Sequence, residues 1–173
     1  MEHLQEIYTV KIVKFLQGNK VLIAGYLSSK IHCASATSKR SEKQDPEDEI
    51  NRVDRYMKQK VVEVMEKFDL STDDGLYDLY VRLVGELHLK NVSFDKSSII
   101  ITFQCCSLEI LECLWADYCS GHLNEVVEKC LITEKVKDEL GMETIKLTTT
   151  ILEEDYLACR LSLMQISSTL LLV

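Results

Sequence analysis

The chain lacks the features by which most enzymes and nucleic-acid-binding proteins are recognised. No catalytic motif interrupts its 173 residues, we expect no signal peptide at the N-terminus, and only 20 basic residues stand against 28 acidic ones. The net charge of −8 repels phosphate backbones and removes the basic footprint of a typical nucleic-acid binder. The apolar run SSTLLLV is too short to span a bilayer. We therefore expect a cytoplasmic protein that binds neither nucleic acid nor membrane.

Disulfide and metal-binding patterns are also missing from the seven cysteines. Their number is odd, no Cys-x-x-Cys pair occurs, and Cys105 and Cys106, as neighbours on a strand, point to opposite faces. Reduced thiols that pack as small apolar residues are the simplest interpretation. The sequence thus predicts no metal site and no cofactor.

One constellation keeps a small thiol enzyme open as an alternative. Cys119 and His122 could face each other at helical spacing, with Glu125 one turn further on, as a nucleophile, a base and an orienting carboxylate. Ser120-Gly121 between them predicts a helix break, and no oxyanion-hole motif accompanies them. We favour a protein without enzymatic activity.

The N-terminal part of the chain contains few clear elements. Residues 7–16 and 20–27 flank a plausible hairpin turn at residues 17–19, and we interpret 20–27 as a strand. From Ser28 to Asp45 the sequence is polar, so we predict a flexible loop. The predicted division is a strand or hairpin and loop at residues 1–45, an α/β domain at 46–166 and a short apolar tail at 167–173.

A long amphipathic helix is predicted to start at Asp45-Pro46. Asp45 suits the N-cap, Pro46 suits the first helical position, and the acidic residues that follow favour the positive end of the helix dipole. Apolar residues then recur at intervals of three and four: Ile50, Val53, Met57, Val61, Val64 and Phe68. This spacing predicts a helix that lies on a flat apolar surface.

Two alternating segments further along predict a β-hairpin. Residues 87–94 form its first strand, with a bulge between Lys90 and Val92, and residues 98–106 form the second. Tyr77 to Val84 fit either a short helix or the entry to a strand. The inward side chains of the second strand are predicted to be Ile99, Ile101, Phe103 and Cys105.

Helical segments then cross to a last strand at residues 143–151. They are predicted to break at Ser120-Gly121 and near Ile132-Thr133, and a final helix with an acidic start follows the strand. In the strand, Ile145, Leu147, Thr149 and Ile151 point one way, and Thr144, Lys146, Thr148 and Thr150 point the other.

This order of elements predicts an α+β fold, the ferredoxin-like α/β plait. Its four-stranded antiparallel sheet is covered by helices on one face, and a helix is added at the C-terminus. The other face is free, and we expect function there. An RNA-recognition motif shares the topology, but its free face carries stacking aromatics with basic neighbours, which the assigned strands lack. A nucleic-acid-binding plait therefore stays an alternative.

A resemblance becomes specific over residues 97–164. The strand ends in a Phe/Cys cluster (SIIITFQCC), a Tyr-x-x-Gly-x-Leu junction joins two helices at Tyr118 to Leu123, an alternating strand follows (ETIKLTTTI), and an acidic start opens a Cys-containing helix (EEDYLACRLSLM). In these features the chain resembles the TRADD N-terminal domain family.

The resemblance implies a non-enzymatic adaptor domain that docks protein partners in receptor and apoptotic signalling, notably TRAF domains. It also implies that an exposed aliphatic residue on the second hairpin strand and aromatic residues on the first strand make the contact. Ile100 matches the aliphatic position, and Tyr26 or Tyr8 are the candidates for the aromatic one. The partner-binding residues predicted from this and from the free face are Ile100, Thr102, Gln104, Lys146 and Tyr26, and self-association stays open.

Overall fold

The computed structural model describes residues 25–39, 45–67, 69, 73–95 and 99–171. In chain order these residues form β1 (Tyr26–Ser38), α1 (Pro46–Lys67), α2 (Asp74–Gly85), β2 (Lys90–Asp95), β3 (Ile100–Gln104), α3 (Leu108–Ser120), α4 (His122–Leu131), α5 (Glu134–Leu140), β4 (Met142–Thr150) and α6 (Glu153–Leu171). The strands make one open antiparallel sheet in the order β2-β3-β1-β4. This is the strand order of the ferredoxin-like plait, so the predicted fold class is confirmed.

Strand β1 is the element that the sequence interpretation missed. The flexible loop predicted from Ser28 to Asp45 is wrong over residues 28–38, which pair with both β3 and β4 in the middle of the sheet. The buried side chains of β1 are Leu27, Ser29, Ile31, Cys33 and Ala36, and the register shifts between Cys33 and Ser35. The strand is polar overall because only one of its faces is buried.

The position of β1 bears on the predicted division of the chain. A boundary at residues 45/46 separates a central strand from its sheet, so we place the start of the domain no later than Gly25. The hairpin turn at residues 17–19 and the segment 7–16 lie outside the described residues, as does most of the predicted strand 20–27. At the other end, helix α6 continues to Leu171, and the tail predicted to start at residue 167 is helical that far.

Gly25 allows a close approach of three elements where β1 begins. Its φ of +87° is a conformation that favours glycine, and a Cβ there would lie 2.3 Å from the carbonyl oxygen of Cys105. The backbone N–H of Cys105 donates to the Gly25 carbonyl at 2.7 Å. Burial raises the pKa of the Cys159 thiol in α6, and the Gly25 backbone beside this thiol lowers it. β1, the end of β3 and α6 therefore meet at Gly25.

Helix α1 forms as predicted. The carboxylate of Asp45 accepts from the N–H of Glu47 at 3.1 Å, and the apolar stripe of the helix is buried at Val53, Met57, Val61 and Val64. Phe68 lies outside the described residues. Beyond the end of β3, the N–H of Cys33 donates to Asp54 Oδ1 of this helix at 2.7 Å. Helix α1 thus provides a hydrogen-bond acceptor for a backbone N–H of β1 that lies beyond the reach of β3.

Cap and turn residues determine where several of the other helices begin and end. The segment from Tyr77 to Val84, which the sequence left undecided, is helical, and Asp73 caps it by accepting from the N–H of Leu76 at 3.0 Å. The break at Ser120-Gly121 is confirmed by Gly121 with φ +85°. Thr133 caps α5, and Gly141 ends it with φ +66°. The register shift between Lys90 and Ser93 confirms the bulge in the hairpin.

Candidate docking face of the sheet

Alternation along the strands separates a covered face from an open face. The core residues of β1, β3 and β4, and those directly next to the ends of β3 and β4, all lie under the helices: Leu27, Ile31, Cys33, Ala36, Ile99, Ile101, Phe103, Cys105, Met142, Ile145, Leu147 and Ile151. The inward sets predicted for the third and fourth strands are therefore confirmed, with Thr149 also buried at 6% exposure. The residues between them face the opposite side, where no core residue of the described chain lies.

The register of the strands arranges the open face in rows. Tyr26 pairs with Gln104, Ser28 with Thr102, and Lys30 with Ile100. On the far side of β3, the same rows continue to Lys90, Ser93 and Asp95 of β2. The three β1–β3 pairs thus make a compact patch in the middle of the sheet.

Four of the five predicted site residues fall within this patch. Tyr26, Ile100, Thr102 and Gln104 are all half-buried neighbours across β1 and β3. Lys146 lies apart, because Thr150 rather than Lys146 pairs with Lys30, and four residues of strand separate them by about 13 Å. The ammonium of Lys146 also lies 3.1 Å from Glu128 Oε1, so this lysine is engaged with α4.

Ile100 is the aliphatic residue of the patch. Lys30 lies beside it, and the next row contains the pair Ser28 and Thr102, whose hydroxyl oxygens are 3.0 Å apart. These hydroxyls satisfy each other and have short side chains, so a partner that covers them pays little side-chain entropy. A half-buried aliphatic in such surroundings is suited to act as the desolvated anchor of an interface.

Sequence reasoning missed three residues of the open face, Ser28, Lys30 and His32. Each lies between buried neighbours in β1, and His32 pairs with Thr148 of β4. The alternation of Leu27, Ser29, Ile31 and Cys33 with polar residues carried the signal. It was obscured because the polar composition continues without a break into residues 39–45.

The outer edge of β4 is closed to strand addition. Asn124 of α4 donates from Nδ2 to the Leu147 carbonyl at 3.0 Å and accepts from the Thr149 N–H at 2.8 Å. Glu128 accepts from the Leu147 N–H at 3.0 Å. The two side chains take the place of a neighbouring strand, so a partner that adds a strand finds these groups already paired.

In the alternative thiol site, the base and its orienting carboxylate are not hydrogen-bonded to each other. His122 Nδ1 lies 4.0 Å from Glu125 Oε2, which is beyond hydrogen-bond distance, and both side chains are largely exposed. Burial raises the pKa of Cys105 to about 12 and that of Cys33 and Cys159 to about 11. These three buried thiols stay protonated at neutral pH and are poor nucleophiles.

Comparison with known proteins bears directly on this domain. Residues 76–136 match the family of TRADD-like N-terminal domains. The resemblance predicted for residues 97–164 is confirmed over residues 97–136, whereas its last strand and final helix lie outside the matched residues. The match supports the coarse expectation of a protein-interaction domain. The match does not include β1, which supplies part of the open face.

The relatives that match carry death effector domains by name. The chain is 39% identical over 64 residues to the human Death effector domain-containing protein, and the same figures hold for its mouse counterpart; the aligned segment is 37% of this chain and 20% of each relative. Human DNA-binding death effector domain-containing protein 2 is 31% identical over 68 residues, which are 39% of this chain and 21% of that protein. The chain spans about a fifth of the length of these relatives. No solved structure matches it.

Proposed function

We propose that the chain is a non-enzymatic adaptor domain that docks a protein partner on the open face of its sheet. The observation that carries the proposal is the patch at β1 and β3, where the pair Lys30 and Ile100, the pair Ser28 and Thr102 and the pair Tyr26 and Gln104 follow one another, with Ile100 and Tyr26 at opposite ends about 13 Å apart. It combines an aliphatic anchor, an aromatic side chain and short polar side chains, which is the composition of a small interface centre with a polar rim.

A TRAF domain is the partner that the family resemblance favours. The resemblance assigns the contact to an aliphatic residue on the second hairpin strand and to an aromatic residue on the first strand. Ile100 lies on β3, Tyr26 lies on β1, and the two strands are neighbours in the sheet. The role that follows is that of a cytoplasmic scaffold in death-related signalling, consistent with relatives named for death effector domains.

Membrane anchoring through a helix has no support in the described part of the chain. None of its helices is long and apolar enough to cross a bilayer.

A nucleic acid is the second candidate partner, and one observation favours it. The placement of β1 adds Lys30 and His32 to the face, where the sequence had predicted only Lys146 as a basic residue and Tyr26 as an aromatic one. Against it, the β3 residues on this face are Ile100, Thr102 and Gln104, so the second stacking platform typical of an RNA-recognition motif is missing. We therefore place protein docking first.

The test is a calorimetric titration of the purified chain with a purified TRAF domain. Wild-type protein is expected to bind, and Ile100→Asp is expected to weaken binding by about 2 kcal/mol, roughly a 30-fold rise in Kd. The control is Leu161→Asp, because Leu161 is 59% exposed on α6 and outside the patch. Its affinity should equal that of the wild type.

Two outcomes would contradict the proposal. Equal binding by wild type and Ile100→Asp would remove the anchor from the interface. Absence of binding to the TRAF domain, together with salt-dependent binding of single-stranded RNA or DNA that Tyr26→Ala abolishes, would make the second candidate correct.

A further inference from the structure

Helix α2 carries apolar residues on both of its sides. Its buried side chains are Leu76, Leu79 and Leu83, at 3%, 0% and 1% exposure, and its large exposed apolar side chains are Tyr77, Val81 and Val84, at 46%, 47% and 37%. The exposed residues follow the spacing i, i+4, i+7 and therefore form one stripe along the helix, which we call the α2 stripe. A helix that is apolar on the side away from its own core is typical of an interface.

Charged residues lie along one flank of the α2 stripe. At about 100° per residue, Asp78 and Arg82 fall on the same side of Val81, one helical turn apart, while Tyr80 falls on the other side. The acidic residue is nearer the N-terminus of the helix and the basic residue nearer the C-terminus. This order makes the flank complementary to itself when the helix is reversed.

An antiparallel pair of α2 helices satisfies that complementarity. With the two-fold axis near Val81, Asp78 of each copy lies close to Arg82 of the other, and the two helix dipoles oppose each other. In a parallel pair the charged flank of one helix would face Tyr80 of the other. The charges therefore favour one of the two orientations.

We propose that the α2 stripe is a self-association surface whose occupant is a second copy of this chain, packed antiparallel about a two-fold axis. One helix on each side buries less than the roughly 800 Å² per partner of a stable complex, so the dimer is weak and forms at micromolar or higher concentration. The surface belongs to the helix layer and not to the open face, so this inference does not depend on the proposed docking function.

The exposed stripe of α6 serves as the comparison. Leu157, Leu161 and Met164 have the same spacing and similar exposure. Its flank differs, because Arg160 already contacts Glu112 at 2.8 Å and the exposed charges at the start of the helix are all acidic. Arg160 would have to leave Glu112 before it could meet an acidic residue of a second copy, so charge complementarity favours α2 over α6.

The test is sedimentation equilibrium of the whole chain from micromolar to millimolar concentration. Wild type is expected to show a monomer–dimer equilibrium, and Val81→Asp is expected to raise the dimer Kd at least tenfold. Leu161→Asp, which is the matched change on the α6 stripe, should leave the dimer Kd unchanged. Thermal unfolding of each variant checks folding, and Tyr77→Ser replaces Val81→Asp if the latter does not fold.

A charge exchange tests the orientation. Asp78→Arg and Arg82→Asp, made singly, should each raise the Kd several-fold, and the double variant should restore it, since each contact is then present with its signs reversed. A chain that stays monomeric at all concentrations, or a dimer that Leu161→Asp rather than Val81→Asp dissociates, would overturn the proposal. If the double variant had a dimer Kd as high as those of the single variants, the antiparallel arrangement would be wrong.

Discussion

The two faces of the sheet are made by the same strands and differ in what they do. On the covered face, Ile31, Ile101 and Phe103 are 1–2% exposed and pack under helices. One residue away along the same strands, Lys30, Ile100 and Thr102 lie on the open face. The comparison shows that adjacent positions of one strand lie in different surroundings, since the covered face packs under the helices and the open face holds no core residue of the described chain.

The largest expected difference is between Ile101→Asp and Ile100→Asp. An aspartate at the 2% exposed position 101 would bury an unpaired carboxylate and should abolish cooperative unfolding. Position 100 pairs with Lys30 on one side and with Asp95 on the other, so the effects of the two opposite charges on the new carboxylate offset each other, and the free energy of unfolding should stay within about 1 kcal/mol of the wild type. Thermal denaturation checks both. If Ile100→Asp unfolds the protein while Ile101→Asp is tolerated, the two faces are reversed.

The contact of Gly25 with Cys105, where β1 enters the sheet, should give the next largest effect on stability. Gly25→Ala should destabilise the protein by on the order of 2–4 kcal/mol, because its Cβ would clash with the Cys105 carbonyl and its φ is positive. Gly85→Ala is the control, since a Cβ there meets nothing within 4 Å. Urea denaturation should show no loss of stability for this variant. Equal effects of the two changes would argue against the placement of β1 beside Cys105.

The edge of β4 should respond less strongly. Asn124→Leu removes the donor to Leu147 and the acceptor for Thr149, and should cost about 2 kcal/mol. Asn124→Asp keeps the acceptor and should cost less. Thr148→Ala, on the open face of the same strand, should stay within about 0.5 kcal/mol. Urea denaturation measures all three, and a neutral Asn124→Leu would mean that the edge is not closed in this way.

Thiol labelling tests the comparison of covered and exposed positions in the native protein, without any change in its stability. Cys106, Cys113 and Cys119 are exposed, whereas Cys33, Cys105, Cys130 and Cys159 are buried. A maleimide reagent should therefore label three thiols quickly in the native protein and all seven after denaturation. Mass spectrometry of the labelled peptides identifies them. Fast labelling of Cys33 or Cys105 would show that the covered face is open to solvent.

The strands that sequence reasoning found are those whose alternation stands out from their surroundings. In β3 and β4, strong β-formers such as Ile101, Phe103 and Ile145 alternate with polar residues between clear turn signals, so faces and register follow from the pattern. The cap residues Asp45 and Thr133 likewise fixed helix starts through local chemistry.

Strand β1 could not be found in the same way. Its buried set includes Ser29 and Ala36, a register shift after Cys33 breaks its alternation, and its polarity merges with that of the following residues. What makes it a strand is pairing on both sides with β3 and β4, which are distant in sequence. The candidate site was therefore only half predicted: its β3 residues came from alternation, while Lys30 and Ser28 depended on β1.

Cysteine placed at two adjacent positions of β1 tests the account most directly. Lys30→Cys should add a fourth fast-labelling thiol to the three of the native protein, because position 30 is exposed on the open face. Ile31→Cys should label no faster than the buried cysteines, because position 31 is only 2% exposed under the helices. Fast labelling of both variants would contradict the account, since residues 28–38 would then behave as an exposed loop and not as the central strand of a sheet with one open face.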